Sequence, residues 1–575
     1  MTANSVKIKD RLLKALASGE IINFAPGVSN DDVLSGDPSS WRVHRRLSAT
    51  LIRDVLFTPE VSVDPQGLRI RGAFITGRID FSYATLPCRI EFDRCSFEDA
   101  PIFDNASLIE LSFNNSILPG LSVSSTTIKG GLYLEDALCE GGCWLSSLRT
   151  GTLSLYGASI SNSDGEALDL DRAVVDGNAI LNNLEGTGKV SARGLHVSGD
   201  LDLTGANLAN TQGIALHLTE AVVENLTLDG VRVVGQIFAQ GVRARNISLV
   251  GARIFNLIGD AISFDGAIID RSVYLSHLNV IGQFRALGMV CGGQFALQGA
   301  TLFASSGHAL RLDRTTIDTL ILDELLIPDG SLTLAFAIIQ ILRVDKDRPK
   351  VGLPSLASAE GLALGAIYGF LLRDRKTACE WLDTIGRVPD TGNQRKFVAQ
   401  PWREFAKTYE QVGQPEDGRW LRYQAAKRTT KVAPATSKVV RKAYGWVVGY
   451  GYYPALVVPW MAALWLIVFI VCSIFSSAFT PTLPSATTTI VTDSNNQKEQ
   501  IQTTGSTQRP LSYPAFTPAL FALDAAVPAV STGQSSAWRV TESIWISILL
   551  AAVKGFSWVL VALLLSGISG LLRKD

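Results

Sequence analysis

Few residues in this 575-residue chain stand at spacings that chemistry requires. Cys139-Glu-Gly-Gly-Cys143 holds two thiols at i, i+4. That is one residue too many for a redox Cys-x-x-Cys, and no histidines follow at zinc-site spacing, so both read as structural thiols. The five histidines (His44, His196, His217, His277, His308) are dispersed. Gly186-Thr-Gly-Lys189 is half a phosphate loop, without the upstream Gly or the following Ser/Thr. Asp169 with Asp171, and Asp200 with Asp202, would share the outer face of a strand, where paired carboxylates can cleave polysaccharides. Outward strand positions are polar by default, so a solvated face is the preferred reading. No catalytic, cofactor-binding or metal residue is assigned. The remaining candidates are charges beside apolar segments. They are Arg419, Arg422, Lys427, Arg428, Lys431, Lys438, Arg441 and Lys442 as membrane-surface contacts, and Asp524 and Lys554 as pore or intramembrane polar groups.

The elements that must position these residues begin with a repeat. Leu201-Asp-Leu-Thr-Gly-Ala-Asn-Leu208, Leu226-Thr-Leu-Asp-Gly-Val-Arg-Val233, Ile247-Ser-Leu-Val-Gly-Ala-Arg-Ile254 and Phe295-Ala-Leu-Gln-Gly-Ala-Thr-Leu302 share one pattern. Alternating apolar residues predict a short half-buried strand, Gly a turn, and Ala a corner too tight for bulk. Earlier copies (Ile79 to Leu86, Ile90 to Phe97) step by 11 residues. A unit this short cannot bury its own edge, so copies must stack. The fold class is mainly β: a right-handed parallel β-helix, a pentapeptide-repeat-like solenoid, over 67–345. Two units, about 22 residues, make one coil.

Solenoid ends need caps. Helical runs at Asp10–Ala17 and Ser40–Leu56, within an N-terminal cap over 1–66, serve one end. Residues 355–373, with Gly361, Gly365 and Gly369 at i, i+4, i+8, read as a capping or docking helix at the other, with a re-entrant segment as the alternative. A helical hairpin follows, completing a segment over 346–442, and then a membrane domain over 443–575. Ala455–Phe475 is 21 residues without a charge, enough to cross a ~30 Å hydrocarbon core. The second span lies within 544–572. There Ile544–Val553 reads as an interfacial approach helix, Lys554 snorkels to headgroups, and Phe556–Leu572 crosses; a functional intramembrane lysine is the alternative. Between the spans, the apolar segment Phe516–Val530 carries Asp524. It is an interfacial helix or a re-entrant pore helix that would ring an oligomer's axis with Asp524.

The formal net charge of −1 conceals opposed regions. Residues 67–345 hold 19 basic and 30 acidic side chains, and residues 373–442 hold 16 and 8. The basic block suits anionic phospholipid. The acidic rod has too moderate a charge density to mimic DNA, and no nucleic-acid partner is expected. Lys and Arg flank the first span on its N-terminal side and follow the second (Arg573, Lys574), which predicts cytoplasmic termini and an external loop. No secretory signal precedes the solenoid, and seven scattered cysteines fit a reducing compartment.

Gln400-Pro401-Trp402-Arg-Glu-Phe-Ala-Lys-Thr-Tyr409, Gly413, Arg419 and Arg422 together resemble the hairpin of bacterial membrane-anchored β-solenoid proteins. Phe521-Ala-Leu-Asp-Ala-Ala-Val-Pro528, Trp538 and Gly555-Phe-Ser-Trp558 are similar to that family's tail, and Gly67-Leu-Arg-Ile-Arg-Gly-Ala73 to its first coil. Trp402 and Gly418 depart from the family's usual Tyr and Ala. The resemblance implies a multi-pass protein of the bacterial inner membrane. Some members are named membrane-associated oxidoreductases, yet no residue here supports a redox cofactor. The function expected is a scaffold or recognition module at the membrane, in contact with lipid and a protein partner. The alternative is an oligomeric two-span channel or effector gated by the solenoid.

Overall fold

Period-two alternation becomes strand where one face can be buried. In the computed structural model, which describes residues 3–29, 33–34, 41, 43–58, 62–304, 307–345, 353–385, 397–482, 513–528, 530–541 and 543–568, the alternating runs wind into a parallel β-solenoid. Its walls are sheets of 18 and 17 strands among the described residues. Each strand pairs with its counterpart one coil on, as Leu68 with Ile90 and Ile90 with Leu111. Inward side chains stack along the axis: Phe92 lies flat on Phe113 at 5.4 Å, and Phe264, Phe284 and Phe295 continue the aromatic core further along. The corner pattern is as expected. Gly205 takes a left-handed φ of 72°, and Ala206 behind it is fully buried.

Coil length departs from a uniform 22. Arg149 pairs with Val174, 25 residues on, Val174 with His196, 22 on, His196 with Val222, 26 on, and Val222 with Arg243, 21 on. The alternation of long and short coils continues to Ala363. The extra residues form arches at Asn162-Ser-Asp-Gly165, Asn210-Thr-Gln-Gly213 and Asn256-Leu-Ile-Gly259. Each is closed by its Asn side-chain amide donating to the carbonyl four residues on, at 3.0, 2.7 and 2.7 Å. Neighbouring coils lie only ~4.8 Å apart, so arches on successive coils would collide. The intervening short coils place Gly188, Gly235 and Gly282 beneath the arch carbonyls instead.

The ends also differ from expectation. Ile21–Asn23 and Arg46–Ser48 already pair with Arg69–Arg71 and Phe74–Thr76, so the first coil starts inside the N-terminal segment. Helices α1 (Ala3–Ser18) and α2 (Ala49–Leu56) supply that end's helical part. The expected helix over Ser40–Leu56 is therefore shorter, and 35–40 and 42 lie outside the described residues. The expected capping helix over 355–373 is mostly strand: Leu356–Ser358 and Ala363–Gly369 form the last coil, and only α3 (Phe370–Arg373) is helical. Its glycines face a neighbouring strand, not a helix. A Cβ on Gly365 would come within 2.6 Å of the Gln340 carbonyl oxygen.

The helical cap is α4 (Arg375–Leu382), α5 (Gln400–Gln411) and α6 (Pro415–Val432). Gln400 covers the last coil's edge by accepting from the Gly361 amide at 3.0 Å and donating to the Leu362 carbonyl at 2.7 Å. The Tyr409 hydroxyl donates to the Leu371 carbonyl.

The chain divides into two compact units, Met1–Leu421 and Arg422–Asp575. The second holds α7 (Ala435–Val448), α8 (Val457–Ile474), α9 (Pro518–Ala526), α10 (Gln534–Ala537) and α11 (Ile544–Ile568). Pro454–Ile474 and Ile544–Ser566, with mean hydropathies of 2.6 and 2.3, are long and apolar enough to cross a membrane. Between them, Phe479–Pro481 and Trp538–Val540 pair antiparallel. The expected break at Lys554 is absent, because α11 runs through it as one helix. A single charge interrupts a hydropathy window without disturbing backbone hydrogen bonds, and Lys has good helix propensity.

Candidate functional site

The acids of the solenoid do a structural job that only the coil geometry reveals. Asp229 accepts from the Ser248 hydroxyl at 2.5 Å and the Val250 amide at 2.8 Å. Asp104 does the same with Ser122 and Ser124, at 2.6 and 2.9 Å. Asp265 takes the Leu287 amide at 2.8 Å and the Arg285 guanidinium at 2.7 Å. Asp313 takes the Ala335 amide at 3.0 Å and Asp323 the Asp345 amide. A corner acid thus reaches the amide about one coil on, and Asp104, Asp229 and Asp265 also take the hydroxyl or guanidinium two residues before it. Much of the solenoid's negative charge is committed to holding coil to coil.

The two acid pairs resolve differently. Asp200 and Asp202 both face outward, yet each is engaged, Asp200 by Asn225 at 2.7 Å and Asp202 by Asn182 at 2.8 Å and Thr204. Asp171 is buried. It accepts from Ser191 at 2.7 Å, from the Arg193 amide at 2.9 Å and from the Arg193 guanidinium. Burial alone would raise its pKa, and these donors reverse that and hold it below the ordinary range. Asp169 is raised, by burial first and then by the charges of Asp171 and Glu166. Opposite shifts on adjacent carboxyls would suit an acid–base pair. The oxygens of Asp171 are already filled, however, so it offers no open base.

The same ladder brings together residues that sequence spacing could not. Asp169 pairs with Ser191, and Ser191 with His217. Asp, Ser and His therefore stack at one register position. The order is wrong for nucleophilic catalysis, where His stands between the other two. Ser191 donates to Asp171, and His217 Nε2 meets Thr219 at 2.8 Å. Burial, then Lys189 and Arg193, push the His217 pKa down. Cys139 and Cys143 are buried with their sulfurs 3.0 Å apart. That contact and burial push the Cys143 thiol up, which keeps it protonated and a poor nucleophile.

Asp171→Ala is expected to cost about 1–3 kcal/mol at neutral pH, since it strands buried donors. The sign of its pH dependence follows from the depressed folded-state pKa. The stabilisation is full above about pH 4, the ordinary carboxylate range, and is lost as pH falls through the lower folded value. Hydrogen exchange of peptides over 169–193 should therefore become alike in the two proteins as pH falls well below about 4; a constant gap would refute the assignment.

In the second unit, Lys438, Arg441 and Lys442 stand at i, i+3, i+4 and share one face of α7. Val439, Val440 and Trp446 on the same helix are 70, 70 and 76% exposed. The other basic residues lie along α6 without forming a stripe. Arg419 pairs with Glu416 at 3.1 Å and Arg428 with Gln424 at 2.9 Å, Arg422 is half-buried, and Lys427 and Lys431 are exposed. Asp524 is 6% exposed. It accepts from the amides of Thr532 at 2.5 Å and Ser535 at 3.0 Å, bracing the turn into α10. Burial works to raise its pKa, and those amides bring it below the ordinary range. Helix α9 around it packs on α8, where Trp465 Nε1 donates to the Ala519 carbonyl at 3.2 Å. Lys554 is exposed within the apolar α11, immediately after the buried Val553.

Sequence reasoning missed the arches and the corner acids. Their signals are present as Asn-x-x-Gly recurring every two coils, and as Asp followed some twenty residues later by Ser or Arg. Both become visible only once the coil length is known to alternate.

No protein-family model and no curated protein matches the chain. Among solved structures it is similar to HetL, a pentapeptide repeat protein involved in heterocyst differentiation regulation from the cyanobacterium Nostoc sp. strain PCC 7120, at 13% identity over 52% of this chain and 88% of that one, with a TM-score of 0.10.

Proposed function

We propose that this protein is a membrane-anchored scaffold that presents the side of its solenoid to a protein partner. The observation that carries the reading is the joining, in one chain, of a long solenoid with two helices of outward apolar surface. Leu466, Ile467, Ile470 and Ile474 on α8, and Ile548, Phe556, Val559 and Leu565 on α11, are all exposed. Such surfaces are covered by lipid or by other apolar segments. The basic face of α7, with Val439, Val440 and Trp446 beside it, suits the headgroup boundary of an anionic membrane.

In this reading both termini are cytoplasmic and the loop between α8 and α11 is external. Reporter fusions at residue 500 and at the C-terminus should then report opposite sides. Matching sides would overturn the orientation, and extraction of the full chain by alkaline carbonate would overturn the anchoring.

A second reading, an oligomeric channel, draws on Lys554. A charge in the middle of an apolar helix, exposed in one chain, would be sheltered in an assembly. Liposome flux lost in Asp524→Ala or Lys554→Met would favour it over a pure scaffold.

A further inference from the structure

One side of the solenoid is unlike the rest. On the sheet that carries the arches, Ala209 pairs with Val234, Val234 with Phe255, Phe255 with Ile281 and Ile281 with Phe303. These positions point outward, between inward neighbours such as Val233 and Ile254. The same column begins polar, with Ser161 and Thr187, and turns apolar only along these coils. Val234 and Phe255 are 38 and 41% exposed, and the adjacent arch tip is Leu257-Ile258, at 68 and 90% exposed. The corresponding tips on the earlier arches are Ser163-Asp164 and Thr211-Gln212. Between the apolar arch and Phe303 lies a cleft of about 230 Å³, lined by Leu257, Ile281 and Phe303 and by the polar Asn256, Asp260 and Gln283.

Two positions before the apolar column runs Arg232, paired in register with Arg253. Both are exposed, and among the described residues neither forms an ion pair. In these and the next coil, by contrast, Arg245 and Arg285 reach Glu224 and Asp260. Like charges on adjacent rungs repel, and an incoming acid relieves both.

We propose that this stripe docks an acidic amphipathic α-helix of a partner protein, lying along the solenoid axis with its apolar seam on Val234, Phe255, Ile281 and Phe303. The proposal rests on the recognition reading above and names its surface and partner class. Rung spacing selects a helix. Coils repeat every ~4.8 Å. A helix presents seam residues every ~5.2 Å, and a strand presents same-face residues every ~6.7 Å. Over the three intervals from Val234 to Phe303 a helix drifts by only about 1.2 Å, and a strand by about 6 Å. Leu257 and Ile258 close over one side of the docked helix, and the cleft beside them takes a protruding side chain. Asp or Glu on the other side meets Arg232 and Arg253. The acidic remainder of the solenoid repels the same helix, which confines it to this stripe.

The test is photo-crosslinking of the full chain in native membranes, with the photoreactive residue at 258 or, on the opposite sheet, at 274, and the adduct read by peptide mass spectrometry. The expected adduct at 258 is a peptide with apolar residues at i, i+3/i+4, i+7 flanked by Asp or Glu. Its yield should fall about tenfold in the double variant Arg232→Glu, Arg253→Glu. Phe255→Ser should lower it independently of charge. An adduct with a second copy of this chain, a lipid adduct, no adduct, or a yield indifferent to both changes would overturn the proposal. Protein adducts at 274 but not at 258 would end this inference and leave the recognition reading standing; none at either position would end both.

Discussion

Trp402→Ala should destabilise the C-terminal end of the solenoid by about 3–5 kcal/mol, the usual cost of deleting a buried tryptophan side chain. Trp402 is fully buried in α5, the helix whose Gln400 covers the last coil and whose Tyr409 holds the Leu371 carbonyl. Phe405, one turn on, meets Trp381 edge-to-face at 5.9 Å, and Trp381 in turn donates to the Pro354 carbonyl at 2.8 Å. Losing the indole loosens this whole cap and bares the edge of strand Ala363–Gly369. A solenoid unfolds from its ends, so one melting temperature is the wrong observable. Hydrogen exchange of peptides over 356–369 should accelerate by about two to three and a half orders of magnitude, with little change near Phe113. Trp402→Phe should retain most of the protection. Uniform or absent acceleration would show that α5 does not cap the stack.

Gly235→Ala should be comparably severe, costing about 3 kcal/mol or more. The residue sits at φ 119°, a conformation L side chains rarely adopt. An added Cβ would lie 2.6 Å from the Asn210 carbonyl oxygen and 2.7 Å from that of Gly213. Backbone strain contributes about 1–3 kcal/mol, and overpacking a similar amount. Gly230→Ala is the control. It shares a positive φ of 65° but has open space where its Cβ would go, so it should cost only about 1 kcal/mol. Hydrogen exchange over 207–238 should separate the two. Equal effects would mean that the arches do not rest on the glycines of the short coils.

These two sites mark where sequence reasoning stops. Trp402 was visible only as a departure from the family's usual Tyr, and Gly235 was not singled out; what each touches appears only in the fold. The glycine spacing of 361, 365 and 369 suits a helix packing face as well as a strand crossing a neighbour. The choice was made by Ile338–Val344, which pairs with that segment. Likewise Asp524 was marked for its apolar surroundings, and the structure gives it the amides of Thr532 and Ser535.

The class of architecture was legible in the order of residues alone. Period-two alternation, a Gly-Ala corner and a short repeat leave stacking as the only way to bury each unit, and long uncharged runs define two apolar helices. These are properties of neighbours along the chain. Tertiary structure alone decided that coils alternate in length, that corner acids bind amides one coil on, and that Asp169, Ser191 and His217 share a ladder. It also decided that an apolar column with two arginines beside it runs along one side. The physical reason is that stacking brings together residues some twenty apart, and a four-residue arch on every second coil shifts that register. No single fixed spacing in the sequence can therefore reveal which side chains meet.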